Sequence, residues 1–178
     1  DQLAFLPIQS LSSAVISFVG QNTGARKPDR ARRGIRVAVA LSAAWALLMT
    51  AVLLPLREPL VAFFSPTPAV IHAGAVYLQC IMPFYFMFAV MFCLNNAMRG
   101  AGDSVFPMVD VILSLILVRV PAVYYLAERY GPDYMYYGCA VGWAVGLALS
   151  LVWYFSGRWK RRGSLADREG PEISGPER

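Results

Sequence analysis

Residues 74–98 read GAVYLQCIMPFYFMFAVMFCLNNAM, and no charged side chain interrupts these twenty-five positions. A helix needs roughly 20 apolar residues to cross the hydrocarbon layer of a bilayer, so this stretch alone sets the class of the chain. Uncharged stretches at 3–20, 37–56 and 134–157 repeat the pattern, and 105–127 repeats it with two charges inside. The predicted architecture is all-α, a polytopic bundle of about five spanning helices. Composition points the same way, because 57% hydrophobic content, 15% charge and a mean hydropathy of +0.50 are too apolar for an ordinary soluble domain of this length.

The loops orient the bundle. Arg26, Lys27, Arg30, Arg32, Arg33 and Arg36 stand against only Asp29 in the first loop, which the positive-inside rule places in the cytoplasm. Such clusters also attract anionic lipid or polynucleotide, but a topology signal is the commoner explanation. Nucleic acid is not expected, because the net charge of +5 comes from residues between apolar stretches or in the tail. Arg57 and Glu58 mark the outer surface, followed by an interfacial segment over 60–64 with Phe63 and Phe64 at headgroup level. The turn at 99–104 returns inside, the loop at 128–133 lies outside with no basic excess, and Arg158, Lys160, Arg161 and Arg162 hold the C-terminus in the cytoplasm. Residues 1–162 form the membrane domain, and 163–178, rich in Gly, Pro, Ser and charge, read as a disordered cytoplasmic tail. The expected location is the plasma (inner) membrane, multi-pass. The start at Asp1, close to a spanning stretch, predicts further helices upstream.

No nucleotide-binding glycine loop, HExxH pair or nucleophile elbow is present, which argues against an enzyme. Cys80, Cys93 and Cys139 lack metal-ligand spacing and read as packing residues, and His72 as an interfacial histidine. Neither disulfide, metal nor cofactor is expected. The chemistry narrows to ionisable groups inside a span, which are costly in lipid and point to a site or a lined cavity. Asp110 sits one to two turns inside the inner end of its helix, with two readings: a solvated helix-start carboxylate, or a proton- or cation-binding group. Arg119 lies nine residues on; an ideal α-helix puts the two on opposite faces, about 13 Å apart along the axis, and so predicts no direct pair. Arg119 then needs a partner carboxylate, helix carbonyls or a water-filled cavity, and Pro121 loosens the helix beside it.

Gln79, Asn95 and Asn96 read as interhelical hydrogen-bonding groups, with substrate contact as the second reading. Tyr85 belongs to a run of Met, Phe and Tyr over 82–92 that suits a promiscuous apolar pocket, although packing and lipid contact account for most of it. Pro83 predicts a kink. Ser10, Ser13, Ser17, Gly20 and Gly24 make one face of small residues, and Gly138, Gly142 and Gly146 another, each suited to close helix packing.

GQNTGA at 20–25 followed by KPDRARRG at 27–34, RGAGDS at 99–104 after a proline-containing helix, and Arg119-Val-Pro121 in the next span resemble, in this order and spacing, the MATE (multidrug and toxic compound extrusion) family. The resemblance covers 3–162 and corresponds to the last five of the family's twelve helices. It implies a transporter of two six-helix lobes that exports cationic or amphipathic small molecules, including drugs, by alternating access in antiport with protons or sodium. Its implied partners are the N-terminal lobe and preceding helix of the same transporter, small-molecule substrates and the lipid bilayer. Members with a cation site in the C-terminal lobe carry acidic residues in the seventh and tenth helices. The seventh is absent from this sequence and the stretch 74–98 has no Asp or Glu. In this the chain resembles members that bind the coupling ion in the N-terminal lobe, and Asp110 is a candidate from the residues alone rather than a site the resemblance implies. A lipid-linked oligosaccharide flippase of the same superfamily would need a cationic cavity, toward which this chain offers only Arg119. A non-transporting scaffold would leave Arg119 without a purpose.

Overall fold

The structure, a computed structural model, describes residues 2–157 and 159, and every regular element among them is helical. In chain order these are α1 (Gln2–Gly24), α2 (Pro28–Leu53), α3 (Arg57–Phe64), α4 (Pro68–Ile81), a 3₁₀ turn (Met82–Phe84), α5 (Tyr85–Gly100), α6 (Val105–Val111), a π-helical turn (Ile112–Val118), α7 (Arg119–Tyr130), a 3₁₀ turn (Pro132–Tyr136) and α8 (Tyr137–Ser156). The chain is an all-α membrane bundle. Four segments are long and apolar enough to span: Pro28–Leu53, Pro68–Gly100, Val105–Tyr130 and Pro132–Ser156. The fifth expected span, α1, is not counted with these four, in which only described residues enter. It is nonetheless 23 residues without a charge, about 34 Å long at the α-helical rise, and it packs against α2 and α5. The tail expected over 163–178 and the basic residues Arg158 and Lys160 to Arg162 lie outside the described residues.

α5 is the central helix, contacting α1, α2 and α8. Its C-terminal half closes one apolar cluster with Val15, Val19, Ile35 and Ala38, and its N-terminal half another with Ile8, Ala46, Ile81 and Trp143. Pro83 divides the third span, which begins at Pro68 rather than at 74, since Pro68 suits a first helical turn after the extended Thr67. The 3₁₀ turn at Met82–Phe84 absorbs the proline, and Thr50 Oγ1 on α2 donates to Met82 O at 2.7 Å and to Ala46 O at 2.9 Å. A hydroxyl thus braces the break in a setting where water is scarce. α3 is a short helix that includes the segment 60–64, with Phe63 and Phe64 84% and 81% exposed.

The small-residue face expected on α1 turns away from the other helices of this chain. Ile8, Ser12, Val15, Val19 and Asn22 are buried, while Ser10, Ser13, Ser17 and Gly24 are exposed. The wider Ile and Val side chains fill the groove between α2 and α5, which the serines would leave poorly packed. Gly20 alone joins the contact: a Cβ on it would sit 3.2 Å from Gly100 O, and one on Gly100 would sit 2.5 Å from Ile16 O.

On α8 the glycine series extends to a fourth member, giving Gly138, Gly142, Gly146 and Ser150 at constant steps of four. The fourth span meets it with Val123 at Gly138, Arg119 and Ser114 at Gly142, Ser114 again at Gly146, and Asp110 at Ser150. Along that span the steps are four, five and four. The extra residue is the π-turn, closed by Arg119 N–H donating to Ser114 O, five residues back. Its local causes are on the same helix. Ser114 Oγ donates to Asp110 O at 2.6 Å, a back-bond that bends helices, and Pro121 cannot supply the N–H that Leu117 O would receive in an α-helix.

These approaches predict graded intolerance. Gly100→Ala and Gly142→Ala force backbone or Cβ atoms apart and should each cost about 1–3 kcal/mol, whereas Gly24→Ala, with nothing within 4 Å, should change stability by less than about 0.5 kcal/mol. Thermal unfolding of the detergent-purified protein measures all three, and equal tolerance would contradict the packing described.

Candidate functional site

Asp110 is 0% exposed, which removes the reading of a solvated carboxylate at the helix start. Its Oδ2 accepts from Asn95 Nδ2 at 2.7 Å and from Ser150 Oγ at 3.0 Å. α5, α6 and α8 thus each contribute one side chain, and the site exists only because the three helices converge there. The second oxygen, Oδ1, has no hydrogen-bond partner among the described residues, and neither has Oδ1 of Asn95. Both are acceptors, so the pocket is short of positive charge or of a proton. An ionised carboxylate buried with one oxygen unsatisfied is strongly unfavourable. A proton on Oδ1, or a small cation shared with the amide oxygen, relieves it.

Arg119 does not sit on the opposite face. The π-turn adds a residue to the span between Ser114 and Arg119, rotating the helix so that Arg119 and Asp110 both lie against α8. They remain apart along the axis, and no ion pair joins them among the described residues, where Arg32 with Asp29 at 3.7 Å and Arg57 with Glu58 at 4.0 Å are exposed surface pairs. The stem of Arg119 fills the space that Gly142 leaves: a Cβ on Gly142 would meet Arg119 Cβ at 2.9 Å. Pro121 follows two residues later in the first turn of α7.

The other candidates are dispersed. Asn95 bonds across helices, to Asp110, but Asn96 Nδ2 donates to Phe92 O at 3.0 Å within its own helix, so the interhelical role expected for it is not taken. The i−4 carbonyl is the nearer acceptor on that face of α5. Gln79 is exposed and lines an outer groove of about 400 Å³ with Arg57, Glu58, His72 and Val76. Tyr85 is 4% exposed and its hydroxyl has no hydrogen-bond partner among the described residues, while its ring lies against Phe88 and Trp143 at centroid distances of 5.8 and 6.3 Å. Phe5, Phe88 and Phe92 fill the neighbouring space with each other at 5.3–5.8 Å. The aromatic run is largely packed upon itself.

Two features escaped the sequence. Ser150 stands four residues after Gly146, and continuing the glycine series by one step would have found it. Asp103, read only as part of a turn, is 1% exposed. Its Oδ1 accepts from Phe106 N at 3.4 Å and its Oδ2 from Trp153 Nε1 at 2.8 Å, with Phe106 stacked on Trp153 at 4.6 Å. An aspartate just before a helix is a capping signal, and a half-buried indole N–H requires an acceptor.

The MatE family model matches residues 1–125. The probable multidrug resistance protein NorM of Thermotoga maritima is 24% identical over 180 residues, covering 97% of this chain and 38% of that protein. The multidrug resistance protein PmpM of Pseudomonas aeruginosa is 32% identical over 155 residues, covering 84% of this chain and 32% of that protein. A solved structure, the inward-facing conformation of a multidrug resistance MATE family transporter of the MOP superfamily, has the same fold, with a TM-score of 0.77 at 15% identity over 96% of this chain and 39% of that one. This chain therefore spans between about a third and two-fifths of the length of those proteins. With the family model matching well over half of its residues and the bundle matching the fold, the chain belongs to the MatE family.

Proposed function

We propose that this chain is the C-terminal part of a secondary active transporter that exports cationic or amphipathic small molecules in antiport with protons or sodium. Asp110 carries the coupling cation in this part of the protein. The observation behind this reading is the buried Asp110 with one carboxylate oxygen and a neighbouring amide oxygen unpartnered. The names of the relatives, multidrug resistance proteins, support the substrate class.

Arg119 gives the site a way to report its state. With the pocket empty, carboxylate and guanidinium attract along the α8 face. At about 13 Å and an effective dielectric of about 20 this is worth about 1 kcal/mol. That is close to a tenfold bias on a two-state equilibrium. Loading Asp110 removes the attraction. The π-turn between them is a segment able to register the change, because such turns sit near α-helical geometry and recur at functional sites. Proton and sodium both satisfy the unpartnered oxygens. The flippase and scaffold readings remain as outcomes of the tests.

In cells expressing the complete transporter that carries this chain, dye efflux driven by an imposed proton or sodium gradient should fall at least about tenfold in Asp110→Asn, which keeps the shape and removes the exchangeable charge. Arg119→Ala should also reduce it, at unchanged membrane abundance. Normal gradient-driven efflux in Asp110→Asn would place coupling elsewhere in the protein. No efflux of any dye under either gradient would favour a flippase or a scaffold.

Orientation is tested separately. In intact cells, a membrane-impermeant maleimide should label Glu128→Cys and leave Arg33→Cys unlabelled until the cells are opened. The reverse pattern would invert the proposed topology, in which the 25–36 loop and the C-terminus face the cytoplasm.

A further inference from the structure

Two cavities adjoin at the inner end of α1 and α2, and they share a wall. One, of about 530 Å³, is lined by Arg26, Lys27, Pro28, Asp29, Arg30 and Arg33. The other, of about 390 Å³, runs between the helices past Leu11, Val15, Phe18, Val37 and Leu41, and it is capped by Arg30 and Arg33 again. The first is a basic cup and the second an apolar slot opening from it. Val37 and Leu41 are 58% and 53% exposed, so the slot faces outward from the bundle.

The construction follows from one helix face. Arg30, Arg33, Val37 and Leu41 recur at steps of three, four and four, which places them in a row, charged at the helix end and apolar below. Gly34 lies beside that row, and a side chain there would run into the Phe18 ring; its absence lets Phe18 lie flat on α2 and floor the slot. At the rim, Arg26 occupies the left-handed region with φ 55, held by its own N–H to Thr23 O at 2.9 Å and by Lys27 N–H to Asn22 O at 2.8 Å. Glycine normally takes this helix-ending position, so the arginine is held there at some strain, and strained residues cluster where a side chain is used. The one acid of the cup, Asp29, is engaged by Arg32 at 3.7 Å. Arg26, Lys27, Arg30 and Arg33 form no ion pair with a carboxylate among the described residues.

We propose that this two-part groove binds one anionic phospholipid, its phosphate held by Arg30 and Arg33 with Arg26 and Lys27 at the rim, and one acyl chain lying between α1 and α2. A phospholipid has the same polarity profile as the row on α2, an anion followed within a few ångströms by hydrocarbon. The assignment rests on the reading that the 25–36 loop meets the inner leaflet, where anionic lipid concentrates.

Native mass spectrometry of the complete, detergent-purified transporter tests it with three probes: palmitoyl-oleoyl phosphatidylglycerol, phosphatidylcholine with the same chains, and glycerol phosphate without chains. One phosphatidylglycerol should remain bound under conditions that strip phosphatidylcholine and glycerol phosphate. Arg30→Gln with Arg33→Gln should weaken its retention about thirtyfold, the effect of two surface cations on an anionic headgroup. The Arg30→Lys, Arg33→Lys pair should keep most of it. Val37→Trp, which fills the slot and leaves every charge in place, should weaken phosphatidylglycerol as well, and this variant stands if the glutamine pair does not fold.

Equal retention of the two phospholipids, binding of glycerol phosphate as tight as the lipid, or indifference to the glutamine pair and to Val37→Trp would each overturn the proposal. So would a crosslink from Val37→Cys to another segment of the same transporter, which would show the slot filled by protein. Binding in detergent does not depend on orientation, so an inverted topology appears in the maleimide labelling alone and a missing lipid site in the mass spectra alone.

Discussion

The backbone contact between α8 and the fourth span is the constraint on which the rest of the site depends. Gly138, Gly142 and Gly146 allow an approach at which even a methyl group would collide, and a bilayer supplies no strong apolar drive to compensate for a looser fit. Holding that contact over the three steps from Gly138 to Ser150 forces the facing span to stay in register. It does so by taking five residues between Ser114 and Arg119 where four would have served an unbroken helix. The inserted residue brings Arg119 onto the face that already holds Asp110. It also leaves Ser114 O accepting from Arg119 N–H across the wide turn, so the two charges flank the one irregular segment of the span.

Most of the architecture was legible in the sequence because a bilayer makes it so: long uncharged stretches bounded by charge can only be helices there, and the prolines at 55, 59, 66 and 68 leave room for no more than a short helix between them. What was not legible is whatever needs two helices at once. The opposite-face placement of Asp110 and Arg119 is right for a helix considered alone, and it fails because the register of α8 overrides the ideal period. The two faces of α1 show the related point that spacing identifies a face without saying which neighbour takes it: within this chain Ile8, Val15 and Val19 meet α2 and α5, and Ser10, Ser13 and Ser17 stay exposed. Asn95 and Asn96 are adjacent and chemically identical, yet one reaches Asp110 and the other its own Phe92 carbonyl. Only the position of α6 distinguishes them.

Charge in this chain is sorted by depth, and the sorting separates two kinds of work. The cations of 26–36 are mostly exposed, so each adds a modest, screened contribution that matters in sum. The pair inside the fourth span has no such screening, and each member must be accounted for singly. Asp103 lies between these regimes. Its carboxylate is consumed by the Trp153 indole and the Phe106 amide, and it fastens the inner turn to α8 just below Asp110. The turn at 99–104 thereby anchors the start of the span whose middle is irregular.

A structural acceptor would satisfy the Asn95 amide and the Ser150 hydroxyl equally well if it were neutral. An asparagine at position 110 could receive both hydrogen bonds through its carbonyl oxygen without bringing an ionisable group into the bundle, and an apolar residue in place of a buried polar cluster is often no less stable. Charge is the property that an aspartate adds and those alternatives lack, and in this pocket charge is a liability to folding, because Oδ1 has nothing to accept from among the described residues. A group whose distinguishing property weakens the fold is explained by a step in which that property changes. The proposed gain and loss of a cation at Asp110, with an arginine on the same face and a turn out of the α-helical register between them, is such a step.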